Sequence, residues 1–269
     1  MLPLWSKYPH HVTDGWDSLA IFLEGYAFER QGRRPDYSHV AIDALIDCKK
    51  QNNGNLTTGI VNYVWQSFKD KLSNKSLNYQ NNPLCPRGKE YSKRYKQSIK
   101  HCHTQQPSLI EMFLEKIMPQ ELTLTSYFQN RIIEDNESRP SYDLLKSVQG
   151  IGKKVSSFYL RDLTDMMDSI TLEKLKDRQL LQPIDIWVER TVKILAESKN
   201  MKEDEIAKWI VDNSIPHINP ERVNMGIWFF CSSIAGSEYR LNNALISLNN
   251  AQTLVNLFMN RIKNVCKDC

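Results

Sequence analysis

The sequence predicts an all-α fold. Apolar residues recur at intervals of three and four along most of the chain, and the two-residue alternation of half-buried strands is nearly absent. The ten glycines among 269 residues leave little room for long Gly-rich loops. Trp16 to Arg30 reads as the first helix, with Leu19, Ile21, Phe22, Tyr26 and Phe28 forming its apolar stripe. Asp36 to Lys49 reads as a second, facing inward through Val40, Ile42, Leu45 and Ile46, and Thr57 to Leu72 as a third. The Asn-rich stretch from Ser73 to Gly88 reads as a long loop. Lys89 to His103 follows with Lys89, Lys93, Lys96 and Lys100 at spacings that make one helical face positive, a pattern that serves either as a solvated face or as a phosphate-tracking patch. Further helices are expected over Ser108–Ile117, Glu121–Glu134, Ser141–Val148, Val155–Leu163, Ile186–Ser198, Glu203–Asp212 and Glu221–Ile234, with a long last one near Leu241–Lys263.

The length suits one compact domain or two closely packed lobes and can bury a core without staples. Net charge is +4 and the pI about 8.6, a weak pointer toward a polyanion by itself. Met1 to Asp14 has no apolar core of signal-peptide length, and no apolar run approaches the roughly 20 residues of a membrane span. The expected setting is therefore cytoplasmic, with six reduced cysteines. Cys102 between His101 and His103, and the terminal pair Cys266 and Cys269, give only a weak metal-ligand pattern; ordinary thiols and histidines are the expectation.

The most informative stretch runs from Leu144 to Phe158. A helix enters, Gln149-Gly-Ile-Gly152 turns, and a second helix leaves. Gly150 and Gly152 can take backbone angles closed to other residues and admit close approach of a partner's backbone. The free amides at the start of the outgoing helix favour an anion, and a duplex phosphate fits there. The same glycines also suit a plain corner between helices. Lys154 lies on the first turn of the outgoing helix. There the dipole and partial desolvation would disfavour its ammonium form and free an amine for attack on carbon. Phe158, four residues on, shares its face, as a base-stacking ring or as core. Pro183-Ile-Asp185 opens the next strong helix, where Asp185 reads as an N-cap.

Gly150-Ile-Gly152-Lys153-Lys154 followed by Pro183-Ile-Asp185 resembles the signature of the helix-hairpin-helix DNA glycosylase superfamily, which includes endonuclease III and the 8-oxoguanine glycosylases. The tight resemblance covers Leu144 to Leu195. It implies one glycosylase unit over residues 1–269, with a hairpin lobe over 105–198 and a second helical lobe from 1–104 plus 199–269, flanking a DNA-binding cleft. It places Lys154 as the lyase nucleophile, Asp185 as the catalytic carboxylate, and both at one sugar carbon. It gives Gln149, Gly150, Gly152, Lys153 and Trp187 to the DNA backbone, with an alkali ion at the hairpin in many relatives. The four clustered cysteines of the iron–sulfur branch are missing, so no such cluster is expected. The long gap between Lys154 and Asp185, and the segment Ser214-Ile-Pro-His-Ile-Asn-Pro leading to Trp228, are similar to the archaeal-type 8-oxoguanine enzymes. That likeness implies a base held between Phe158 and Trp228, with Trp65 and Asn224 near its edges. Asp36 stands where that branch uses glutamine, so the identity of the base stays open.

The expected activity is thus excision of a damaged base, 8-oxoguanine first, from double-stranded DNA by a monomeric glycosylase/lyase, nucleoid-associated when bound. Two other readings compete. One is a non-enzymatic DNA-gripping module, which needs neither Lys154 nor Asp185. The other is the same fold acting on a nucleoside or another modified base. Away from the resemblance, Trp65 and Trp228 read as core.

Overall fold

The computed structural model describes residues 15–22, 25–26, 43, 46–47, 49–51, 112–117, 123–148, 151–167, 169–214, 218–237 and 239–241. Most of these residues are helical, with no strand among them, in agreement with the all-α expectation. The helix expected over Thr57–Leu72, the basic face of Lys89–Lys100 and the terminal helix beyond Leu241 lie outside the described residues. The chain divides into two compact units, Leu2–Lys176 and Asp177–Cys269. Asp185 therefore belongs with the C-terminal residues, whereas the resemblance grouped it with the hairpin in 105–198.

In the first unit, α1 (Gly15–Phe22) buries Leu19 and Phe22 completely. Its Ser18 hydroxyl donates to the Gly15 carbonyl (2.8 Å) and accepts from the Leu124 amide (3.1 Å). That second bond satisfies one of the free amides at the start of α2 (Leu124–Asp135). The Thr123 hydroxyl takes the Ser126 amide at 3.0 Å, an ordinary N-cap. Asn136, in the left-handed region at φ 51°, ends the helix. A π-helical turn, Phe113–Ile117, stands where an α-helix from Ser108 was expected.

α3 (Arg139–Ser147) starts two residues earlier than the sequence indicated, because Pro140 sits in the first turn, where its missing N–H costs nothing. α4 (Lys153–Thr164) is buried from Tyr159 through Thr164. Tyr159 is its centre: Phe22, Tyr26 and Phe128 pack edge-on against it at centroid distances of 4.8, 5.1 and 5.8 Å. Charge is buried here too. Arg161 donates through Nε and Nη2 to Asp162 Oδ1 (3.0 and 2.8 Å), while the Tyr26 hydroxyl donates to Asp162 Oδ2 (2.9 Å). Both carboxylate oxygens are thereby satisfied, as burial of the pair requires. α5 (Ser169–Lys174), a short helix with a weak apolar period, closes the unit.

In the second unit, a 3-10 turn at Arg178–Leu181 leads through extended backbone to α6 (Ile186–Leu195). α7 (Glu203–Asp212) matches its expected bounds. Its acidic first turn suits the helix dipole, and the Glu205 carboxylate accepts the Lys202 amide at 2.7 Å. α8 (Pro220–Phe229) runs into a π-helical turn, Phe230–Ala235, that Gly236 ends at φ 65°, a conformation in which a side chain would be strained. Val188 and Val192 of α6 meet Ile206 and Ile210 of α7 in one core cluster. A second cluster joins Cys231, Ala235 and Leu241. Exposed i,i+4 pairs such as Lys208–Asp212 add under ~1 kcal/mol each, so these apolar contacts hold the unit.

Candidate active site

The residues singled out from the sequence fall into two groups, one in each unit. Trp65, Asp36, Gln149 and Gly150 lie outside the described residues.

The first group sits where α3 gives way to α4. Val148 ends α3 in extended backbone, the Ile151 amide donates to the Val148 carbonyl (3.1 Å), and Gly152 caps α4. Gly152 has φ −98° and ψ 175°, so the special backbone angle expected there is not used. A Cβ at Gly152 would also meet nothing within 4 Å. Gly152 itself is exposed. Lys153 and Lys154 are both exposed. The partial desolvation expected of Lys154 is thus not found. It lies on the flank of α4, beside the buried positions Val155 and Tyr159, and not among them. Its Nζ stands 5.7 Å from the Phe158 ring centroid. The Arg161 guanidinium lies over the same ring at 4.8 Å. Phe158 is therefore half-buried and bordered by two cations, with the buried Asp162 holding the inner one.

The second group surrounds the start of α6. Asp185 is its N-cap, as the sequence indicated. Its Oδ1 accepts both the Trp187 amide (3.0 Å) and the Val188 amide (2.9 Å). The second carboxylate oxygen, Oδ2, takes no hydrogen bond among the described residues. Two amides on one oxygen orient a half-buried carboxylate. Trp187 packs against the Cys231–Ala235–Leu241 cluster and Trp228 against the Val188–Val192–Ile206–Ile210 cluster, each half-buried. The Asn224 side chain is buried, and its Nδ2 donates to the Pro183 carbonyl at 3.3 Å.

Other polar residues the sequence did not flag complete this second group. Cys231, buried and free, shares a hydrogen bond with the Thr191 hydroxyl (Sγ to Oγ1, 3.0 Å). Burial pushes its thiol above the ordinary value, and the Asp185 carboxylate nearby pushes in the same direction, against the Thr191 bond. Arg178 meets Glu221 with both ends of its fork, Nε to Oε1 at 3.1 Å and Nη2 to Oε2 at 2.5 Å. Nothing local announces a pair so far apart in sequence. Arg161 and Asp162 did carry a signal, as adjacent charges at positions that the helical period assigns to the core.

Among the described residues no group of three or more His, Cys, Asp or Glu side chains could hold a metal ion. No helix among them is long and apolar enough to cross a membrane. The chain matches no family model, no curated protein and no solved structure.

Proposed function

We propose that the chain is a DNA glycosylase with lyase activity, of helix-hairpin-helix type, that removes a damaged base from double-stranded DNA. One observation carries the reading: an exposed amine, Lys154, and a clamped carboxylate with one uncommitted oxygen, Asp185, each stand at the first residues of a helix. A protein that only grips DNA needs neither.

The target nucleotide leaves the stack, since its sugar carbon cannot be reached inside the duplex. Phe158 supplies an aromatic face for the extruded base, with stacking of about 1–3 kcal/mol offsetting part of the cost. Lys154 Nζ, once deprotonated, attacks C1′ and the bond from C1′ to the base nitrogen breaks, its electron pair leaving with the base. The sugar ring opens to a Schiff base on Lys154, and loss of the C2′ proton then expels the 3′ phosphate. Asp185 stabilises positive charge developing on the sugar. The amides at the start of α4, together with Lys153, receive backbone phosphate.

The test is borohydride reduction during reaction with duplexes carrying 8-oxoguanine, uracil, thymine glycol or an alkylated purine. A covalent protein–DNA adduct is expected with at least one lesion, absent in Lys154→Gln, which still binds that duplex. No adduct with any of the four removes the lyase assignment, and an adduct in Lys154→Gln removes the lysine.

A further inference from the structure

Asp185 can act only if the chain that delivers it arrives at a fixed angle, and that chain has little regular structure of its own. After the single 3-10 turn at Arg178–Leu181, Gln182 to Asp185 run extended into α6. Ile184 packs against the Val188–Val192–Ile206–Ile210 cluster, and one face of α8 supplies the polar contacts. Glu221 and Asn224 are three residues apart on that helix and so project together. Both are buried, with 3% and 1% of their surface exposed. Glu221 receives the Arg178 fork and, at 3.4 Å, the Gln182 amide nitrogen. Gln182 Nε2 also donates to the Arg178 carbonyl at 3.2 Å. Asn224 takes the next residue, donating to the Pro183 carbonyl. Thus α8 grips Arg178, Gln182 and Pro183 in turn, and the last of these stands two residues before the carboxylate.

A buried ionic network is a poor way to gain stability, since apolar residues of similar volume do as well or better. It is a good way to fix orientation, because each bond accepts only a narrow range of geometry. We infer that Glu221 and Asn224 are positioning residues that set the angle at which Asp185 enters α6 and hence where its uncommitted oxygen points. This inference rests on the glycosylase reading for the use made of that oxygen, and on the hydrogen bonds alone for the positioning.

The test uses the full chain with Glu221→Gln and Asn224→Ala. Ile206→Val serves as a control that thins the core cluster against which Ile184 of the loop packs, while leaving the hydrogen bonds of Glu221 and Asn224 in place. Amide hydrogen exchange is followed at Trp187 and Val188, the two donors to Asp185, against Ile210 in α7. Both loop variants should speed exchange at Trp187 and Val188 on the order of ten-fold relative to Ile210, and Ile206→Val should not. Single-turnover excision of the lesion found by borohydride trapping should fall by roughly 10- to 100-fold, with the dissociation constant for that duplex unchanged. Exchange in the loop variants that merely tracks the control overturns the inference. So does wild-type excision in both. A change of lesion preference or of duplex affinity in Asn224→Ala would make Asn224 a base reader and not a positioning residue. If the wild-type protein excises none of the four lesions, the glycosylase reading falls and the exchange result alone decides this one.

Discussion

On the proposed function Asp185 has two jobs, and they can be separated. As N-cap it accepts two amides through a single oxygen. Asparagine keeps a neutral oxygen at the same place and caps helices about as well as aspartate. Asp185→Asn therefore gives up only the attraction between a full charge and the helix start, about 0.3–1 kcal/mol. Alanine removes the acceptor altogether, at about 1–2 kcal/mol. At a few degrees per kcal/mol for a chain of this size, the melting point should fall by about 1–3 °C for Asn and about 3–6 °C for Ala. The chemical job behaves differently. Both substitutions remove the charge that faces the developing cation, so both should slow excision by on the order of 10²- to 10³-fold, or about 3–4 kcal/mol of barrier. Single-turnover kinetics on duplex DNA carrying the trapped lesion, run beside thermal melts of the same preparations, compare the two scales directly. An Asn variant that excises at the wild-type rate, with only Ala slow, would show that Asp185 is a helix cap and nothing more.

Two further expectations concern the framework. Tyr26→Phe removes a hydrogen bond to the buried Asp162 carboxylate and should lower the unfolding free energy by about 1.5–3 kcal/mol in urea titration; a loss under about 0.5 kcal/mol would mean that the carboxylate is satisfied without Tyr26. Because burial raises the Cys231 thiol above its usual 9.0, the unfolded chain ionises that group first as pH rises. The stabilisation is complete below about pH 9 and declines through the interval up to the folded value. Cys231→Ala should flatten, without abolishing, the loss of stability above about pH 9, since burial raises Tyr159 as well; an unchanged slope would refute the assignment.

Much of the helical order was legible from periodicity and punctuation. Glu203–Asp212 was readable to the residue because its acidic first turn and apolar period agree. Pro140 misled by two positions, since proline closes off a helix interior but suits a first turn. The π-helical turn after Phe229 left no trace, because a single added residue per turn hardly changes the spacing of apolar positions over six residues. At the site, the cap role of Asp185 could be read locally, since a cap is a relation among four neighbours. The exposure of Lys154 and the buried polar contacts of Glu221 and Asn224 could not. They depend on which flank of a helix meets its neighbours, and that is settled by residues far away in the chain.

The bond from Tyr26 to Asp162 closes a loop of 136 residues, whereas α2, α3 and α4 meet through connections of a few residues. Loop-closure entropy rises with the length of chain enclosed, so the three neighbouring helices can associate before α1 joins them. The ring of Tyr159 is then a half-finished socket, walled by Phe128 and open where Phe22 and Tyr26 belong. Arrival of the segment that carries α1 and, four residues beyond it, Tyr26 brings the last hydroxyl to Asp162 Oδ2, so a bond that orders the buried charge is among the late ones to close.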